Sequence, residues 1–193
     1  MSVSLSKGQK VSLTKDNPGL NNIFIGLGWD VNSYDGPAFD LDVEAFMLDE
    51  SGKCPSDSDF IFYNNKSDSA NSLIYSGDNR TGEGDGDDES ITADLSKIPA
   101  HIKKIAITLT IFEAVEKAQN FGMIDSAYIR ILDNDKNEEL VRYDLSEDYF
   151  NETSLVVAEI IRKEDNQWDI RAVGSGFESG LAGLCNKFGI NVG

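Results

Sequence analysis

The chain has 193 residues, a formal net charge of −17 and a hydrophobic fraction of 40%. This length and composition fit one folded domain, residues 1–193, and the chain is too apolar to be a disordered acidic tail. Nucleic acid is excluded as a partner because an acidic surface repels phosphates, and direct membrane insertion is excluded because no apolar run approaches about 18 residues.

Strand patterns dominate when the chain is taken in order. Apolar and polar residues alternate, or β-branched and aromatic residues cluster, in ten segments. They span residues 10–13, 22–29, 39–48, 60–63, 73–75, 104–112, 127–132, 139–143, 153–162 and 168–173. Many short strands separated by turn residues predict an all-β-dominated fold, an antiparallel β-sandwich.

Helix signals are few. Residues 90–98 could form one or two turns that end before Pro99. Residues 177–188 carry apolar side chains at helical spacing, Cys185 among them, and Gly189 follows as a stop signal. The sandwich should therefore carry a few short helices, including one at the C-terminus.

The rare residue types restrict the chemistry. Two cysteines, Cys54 and Cys185, give no disulfide framework, and the N-terminus lacks a signal-peptide pattern, so we expect a cytoplasmic protein. The single histidine, His101, is too few for a histidine-rich metal site and has no nucleophile motif near it. We expect a structural or solvent-facing histidine, and no enzymatic activity.

The acidic residues are concentrated in one part of the chain. Residues 30–89 carry 16 acidic and 3 basic residues, a net charge of −13, and they also contain strand-forming residues such as Phe39 and Ile61. A folded region with clustered carboxylates must suppress their repulsion by protonation, by a bound cation or by wide spacing.

The most informative segment is the acidic glycine loop, residues 77–89. Six of the twelve residues from Asp78 to Glu89 are acidic and three are glycine. Calcium takes six to eight oxygen ligands from carboxylates, backbone carbonyls and water, whereas magnesium prefers fewer carboxylates. Glycines let the backbone turn its carbonyls inward. The loop therefore predicts a calcium site.

Three alternatives to a calcium site exist for this loop. A phosphate-binding loop would need a Gly-Lys-Ser/Thr ending, which is absent, and the surrounding acid would repel phosphate. An EF-hand would need its full ligand spacing and long flanking helices. A flexible acidic surface loop without metal stays open as an alternative.

Carboxylates from the strands could complete the site. Asp30 follows the strand at residues 22–29, and Asp40 and Asp42 lie two apart, so that on a strand they share one face. An ordinary solvent face is the alternative for Asp42 and Glu44. Residues 133–137 resemble half of a calcium loop but lie between two strands, and we favour a metal-free hairpin turn there.

These motifs together resemble the TerD family of tellurite-resistance and general stress proteins over nearly the whole chain. The resemblance rests on residues 3–13, 26–30, 39–46, 59–65, 77–89, 127–131 and 143–145. It implies a β-sandwich that binds two calcium ions in a cytoplasmic bacterial protein. The family is linked to resistance to tellurite, other toxic agents and phage, and to a membrane-associated complex with other stress and tellurite-resistance proteins.

The resemblance also implies a set of metal ligands. They are Asp30, Asp40, Asp42, Asp78, Asn79, Arg80, Gly84, Asp85, Asp87, Asp88 and Glu89. Gly84 and Arg80 would contribute backbone carbonyls, and Arg80 stands where many relatives carry an apolar residue.

Several functions follow from these observations. The leading hypothesis is a calcium-binding stress protein that acts through protein partners. A metal-dependent enzyme that uses the ion as a Lewis acid and a cyclic-nucleotide-binding module are the alternatives, although no anion pocket is recognisable. Direct capture of tellurite or a soft metal would need thiolates, and the chain has two cysteines.

Overall fold

The computed structural model describes residues 2–29, 36–76, 86–124, 126–145 and 149–191. Within them the chain forms twelve strands and one α-helix. The strands are β1 (Val3–Ser4), β2 (Lys10–Ser12), β3 (Asn22–Trp29), β4 (Leu41–Leu48), β5 (Phe60–Ile61), β6 (Leu73–Tyr75), β7 (Glu89–Asp94), β8 (Lys104–Ile111), β9 (Ala127–Asp133), β10 (Glu138–Asp144), β11 (Ser154–Arg162) and β12 (Trp168–Phe177). The helix α1 spans Gly180–Phe188, and short 3-10 turns occupy Asp57–Asp59 and Phe121–Met123.

The strands form two six-stranded sheets. Sheet A has the order β1-β10-β9-β3-β7-β6, and sheet B has the order β2-β12-β11-β8-β4-β5. All pairings between these strands are antiparallel except that of β1 with β10, which is parallel. The predicted antiparallel β-sandwich with a C-terminal helix is confirmed.

The main core lies between the two sheets. Alternate residues of each strand point inward, as the two-residue period of a strand requires, for example Ile23 and Ile25 of β3 and Leu41 and Val43 of β4. Residues from both sheets belong to one continuous apolar cluster. This core fixes the separation of the sheets, and hence the positions of side chains that reach from one sheet to the other.

A second core lies between α1 and the outer face of sheet B. Phe46 and Leu48 of β4 point away from the main core and pack with Leu184, Cys185 and Phe188 of the helix. The helix ends at Gly189, whose left-handed backbone (φ 85°) allows its amide to cap the last turn. The predicted helix, its stop signal and the buried position of Cys185 are confirmed, although the helix begins at Gly180 and not at residue 177, which is the last residue of β12.

The helix expected at residues 90–98 is wrong. Residues Glu89–Asp94 form β7, which pairs with β3 on one side and β6 on the other, and a turn follows in which the amide of Lys97 donates to the carbonyl of Asp94. Ile91 and Ala93, two residues apart, both point into the core, which is the spacing of a strand. The strand expected at residues 60–63 is also shorter, because a turn begins after Ile61.

Two smaller expectations are met. His101 is solvent-exposed. Residues 134–137 connect β9 to β10 as a hairpin turn, with Asn137 in the left-handed region (φ 54°) that asparagine tolerates. No helix among the described residues is long and apolar enough to span a membrane.

One end of the sandwich collects the segments that matter for the site. Strands β3, β6, β8, β10 and β12 end there, and β4, β7, β9 and β11 begin there. We call it the loop end. The acidic glycine loop leads into β7 at this end, and the chain that enters β4 arrives at the same place.

Candidate functional site

The structure describes five of the eleven predicted ligands. Asp40, Asp42, Asp87, Asp88 and Glu89 lie in or beside β4 and β7 at the loop end. The other six lie outside the described residues; they are Asp30, Asp78, Asn79, Arg80, Gly84 and Asp85. The described part of the site is therefore the part that the two strands provide.

Glu89 links the two sheets. It is the first residue of β7 in sheet A and is 1% exposed. Its Oε2 accepts a hydrogen bond of 2.6 Å from the backbone amide of Val43 in sheet B, and its Oε1 accepts one of 2.6 Å from the hydroxyl of Tyr75. Burial raises the pKa of Glu89 from its usual 4.5 to about 9, although both hydrogen bonds lower it.

A second buried carboxyl group, Glu44, lies on the outer face of β4. Its two oxygens accept hydrogen bonds of 2.5 Å from the hydroxyls of Thr108 and Thr110 on the neighbouring β8. Glu44 is completely buried, and this burial raises its pKa to about 8 against the lowering effect of both threonines. The solvent face considered for Asp42 and Glu44 is therefore wrong.

Asp42 acts electrostatically on both of these carboxyl groups. It is 7% exposed and is paired in register with Thr110. Its negative charge raises the pKa of both Glu44 and Glu89. Asp40 precedes the first residue of β4, and its carbonyl accepts the amide of Phe112, which fixes the entry of the strand beside the end of β8.

Asp88 closes the β3–β7 ladder at the loop end. Its amide donates to the carbonyl of Leu27 over 2.7 Å, and its Oδ2 accepts the amide of Trp29 over 3.1 Å. Its carboxylate is thereby held where β3 ends, immediately before Asp30 in the sequence. The side chain is buried, like those of Asp42 and Glu89.

Asp87 is bound by a basic side chain. Arg130 of β9 donates to both of its oxygens, with Nε and Nη2 at 2.8–3.1 Å, and the hydroxyl of Tyr128 lies 3.2 Å from Oδ1. A Cβ atom at Gly26 would lie only 2.4 Å from the Asp87 carboxyl carbon. The missing side chain at Gly26 is thus what lets Asp87 lie over sheet A.

The strand part of the site is acidic but incomplete. Asp42, Glu44 and Glu89 influence one another electrostatically, whereas Asp87 is neutralised by Arg130. No group of three or more His, Cys, Asp or Glu side chains that could hold a metal ion occurs among the residues that the structure describes. A metal site here would need oxygen ligands from the acidic glycine loop as well.

Comparison with known proteins agrees with this architecture. The family model described as TerD domain matches residues 1–188. The chain belongs to the TerD family. Tellurium resistance protein TerD of Serratia marcescens is 49% identical over 191 residues, which cover 99% of each chain. General stress protein 16U of Bacillus subtilis (strain 168) is 49% identical over 194 residues, which cover all of each.

A solved structure shares the fold of this TerD domain. It is a homologue of telluride resistance protein TerD from Streptomyces coelicolor A3(2), with a TM-score of 0.71 at 22% identity. The match covers 86% of this chain and 95% of that one. At this identity the likeness concerns the fold alone.

Sequence reasoning about this TerD domain missed several residues that shape the site. Arg130 and Tyr128 lie far from the acidic segment in sequence and reach it only through strand pairing, and Tyr75, just before the acidic glycine loop, meets Glu89 through the pairing of β6 with β7. Gly26 and Gly28 carried a usable signal, because two glycines at alternate positions of one strand leave bare sites on one face. The ring of Tyr128 occupies the space over Gly28.

The Asp87–Arg130 pair predicts a metal-independent effect on stability. In calcium-free protein, a double-mutant cycle with Asp87→Asn and Arg130→Gln should give a coupling energy of about 1–3 kcal/mol, because a largely buried bidentate pair is lost. Urea unfolding measures it. The exposed pair Arg142–Asp144 is the matched control and should give about 0.5 kcal/mol or less. Equal coupling energies in the two cycles would contradict the assignment.

Proposed function

We propose that the protein is a calcium-binding, cytoplasmic stress protein of the tellurite and chemical-stress resistance system. It would act through protein partners, namely other stress and tellurite-resistance proteins, and not by catalysis. Membership of the TerD family and the names of its relatives support the resistance and stress role. The acidic residues at the loop end support calcium binding.

The observation that carries the calcium proposal is the presence of several buried carboxyl groups at the loop end. Asp42, Asp88 and Glu89 are each less than a tenth exposed, and the acidic glycine loop joins β7 beside them. Burial disfavours the charged form of a carboxyl group, and it raises the pKa of Glu89 to about 9. A hard divalent ion with oxygen ligands offsets that cost.

The ligands would come from two sources. The strands would supply Asp40, Asp42, Asp88 and Glu89, and the loop and its neighbourhood would supply Asp30, Asp78, Asn79, Arg80, Gly84 and Asp85. Asp87 would contribute only if it left Arg130, so we assign it to positioning. Two calcium ions would lower the charge of the segment and link β4 to β7 at one end of both sheets.

The state of the two cysteine thiols argues against a role in binding soft metals. Cys54 and Cys185 are both free and buried. Burial raises the pKa of Cys54 to about 12 and that of Cys185 to about 11. Both groups are therefore protonated at neutral pH, whereas the thiolate is the form that binds soft metals. Unpaired cysteines also fit the reducing cytoplasm.

Calcium should raise the thermal stability of the chelator-treated protein. A ligand at one hundred times its Kd adds about 2.7 kcal/mol to the free energy of unfolding, which is a rise in Tm of about 5–10 °C for a chain of this size. The measurement is a thermal melt at millimolar calcium, with millimolar magnesium in a second series. We expect a smaller response to magnesium.

Two pairs of variants distinguish the loss of a calcium ligand from a general change in net charge. Asp42→Asn combined with Asp85→Asn should remove most of the calcium-induced rise. The control pair, Asp135→Asn with Asp165→Asn, makes the same charge change in turns at the opposite end of the sandwich and should keep it. An unchanged Tm on calcium addition to the wild-type protein would refute calcium binding.

A further inference from the structure

A groove at the loop end combines apolar walls with an acidic rim. Its cavity measures about 330 Å³ and lies between the segment that follows β8 and the start of α1. The apolar side chains that line it include Phe112, Val115 and Leu181, and the acidic ones include Glu113, Glu116 and Glu178. We call this the β8–α1 groove. Asp42 also lines it.

The apolar part of the groove is open to solvent. Val115 is 83% exposed, the largest value among the large hydrophobic residues that the structure describes, and Phe112 is 39% exposed. The ring of Tyr63 meets that of Phe112 edge-on with centroids 6.5 Å apart, which extends the apolar surface toward sheet B. Exposed apolar side chains gathered around a concave surface are typical of a protein-binding site.

The segment that presents Val115 is held in place by hydrogen bonds within itself and to the chain before β4. The amide of Ala118 donates to the carbonyl of Val115, and the amide of Gln119 donates to that of Ala114. The side chain of Gln119 donates to the carbonyl of Pro37 over 2.7 Å, which ties the segment to the chain that enters β4. A preordered surface loses less entropy on binding than a flexible one.

The charge of the groove selects the partner. Four acidic side chains and no basic ones occur among the described residues that line it. One nearby cation, Lys117, lies 3.7 Å from a carboxylate oxygen of Glu113 and over the ring of Phe112, so it offsets part of this charge. The remaining acidic rim favours a positively charged ligand and disfavours anionic lipid headgroups.

We propose that the β8–α1 groove binds a partner protein through a basic segment that carries an aliphatic or aromatic anchor. The anchor would pack against Val115, Phe112 and Leu181, while lysine or arginine side chains would meet Glu116 and Glu178. This proposal rests on the partner-dependent action proposed above and names its surface. Asp42 is the one lining residue shared with the proposed calcium site, and the contacts named here do not use it.

A defined peptide tests the groove. The probe is a twelve-residue peptide that repeats Lys-Leu-Lys-Ser three times, and its match replaces every leucine with serine at the same charge. At physiological salt, calorimetry should show that the leucine peptide binds at least about tenfold more tightly, because one buried leucine contributes about 1.5–3 kcal/mol. Equal affinity for both peptides would overturn the proposal.

Matched variants locate the binding surface. The groove variant carries Val115→Ser, Glu116→Gln and Glu178→Gln. The control variant carries the equivalent changes Ile74→Ser, Glu50→Gln and Glu164→Gln at exposed positions elsewhere. We expect the groove variant to bind the leucine peptide at least about tenfold more weakly and the control to change by less than about twofold. Equal losses would show that binding follows total charge and would overturn the proposal.

Two further measurements distinguish a protein-binding groove from a membrane surface and from the calcium site. The first is the amount of protein that sediments with phosphatidylserine–phosphatidylcholine vesicles in calcium, which should be the same for the wild-type protein and the groove variant. A loss of vesicle binding in the groove variant alone would overturn the proposal in favour of a membrane surface. The calcium-induced rise in Tm should persist in the groove variant. A wild-type protein with no such rise but with groove-specific peptide binding would refute calcium binding and support this proposal.

Discussion

The calcium-free protein should lose stability as the pH rises from 5.5 to 8. Glu44 titrates near its usual 4.5 when unfolded but at about 8 in the folded protein, so the folded state holds a proton that the unfolded state has released. Stability is then greatest below pH 4.5 and falls by about 1.4 kcal/mol per pH unit until the folded pKa is passed. An isolated group of this kind would cost about 3 kcal/mol over the chosen range, and Glu89, whose pKa burial raises to about 9, adds a loss of the same sign.

Between pH 5.5 and pH 8, carboxylates with lowered pKa values do not change the free energy of unfolding. Asp94 and Asp133 have lowered pKa values, chiefly because Ser96 and Lys136, respectively, donate to them, so these two carboxylates stabilise the protein above their unfolded pKa. Both are fully ionised above pH 5.5 in either state and add no slope there. Urea unfolding at half-unit intervals, with chelator present throughout, measures the remainder.

Glu44→Gln is the variant that identifies the group. Glutamine keeps the shape and can still exchange hydrogen bonds with Thr108 and Thr110, but it does not ionise. The stability advantage of the variant over the wild-type protein should grow by about 3 kcal/mol between pH 5.5 and pH 8. Glu164→Gln, at an exposed turn, is the control and should leave the slope unchanged. A Glu44→Gln profile as steep as the wild type would contradict the assignment.

Truncation of Phe46 should cause the largest loss of stability. Its ring is fully buried and stacks on Phe60 with centroids 4.3 Å apart, and Phe188 of α1 lies at 4.7 Å. Phe46→Ala removes the contact that joins β4, β5 and the helix, and buried phenylalanine-to-alanine changes cost about 3–5 kcal/mol. Urea unfolding with far-ultraviolet circular dichroism measures this loss.

Two controls show whether the second core is the cause. Phe46→Leu keeps most of the volume and should cost less than about 1.5–2 kcal/mol. Phe150→Ala removes an exposed phenylalanine, 74% accessible, and should change stability by less than about 0.5 kcal/mol. A loss in Phe46→Ala no larger than in Phe150→Ala would show that α1 does not depend on this contact.

Sequence patterns predicted the strands well, for a physical reason. Alternation with a period of two is a local property, so β3, β8 and β11 could be recognised without knowledge of their partners. The error at residues 90–98 arose where the apolar run is short, since periods of two and 3.6 then predict similar patterns. The neighbours of that segment, β3 and β6, decide its conformation.

The candidate site was predictable only in composition. The acidic glycine loop and Asp42 could be found because carboxylates and glycines are themselves the signal. Burial of Glu44 could not, because α1 and β5 cover that part of sheet B from distant parts of the chain. The bond between Arg130 and Asp87 likewise depends on which strands are neighbours, and this depends on long-range pairing.

The N-terminal strands have a consequence for the edges of the sandwich. β1 is the edge strand of sheet A and β2 is the edge strand of sheet B, and they are joined by only a few residues. A single short segment therefore shields the backbone groups of both β10 and β12 from pairing with another chain. Fraying of this segment would open one edge of each sheet together, so protection of β10 and β12 from edge-to-edge pairing rests on β1 and β2.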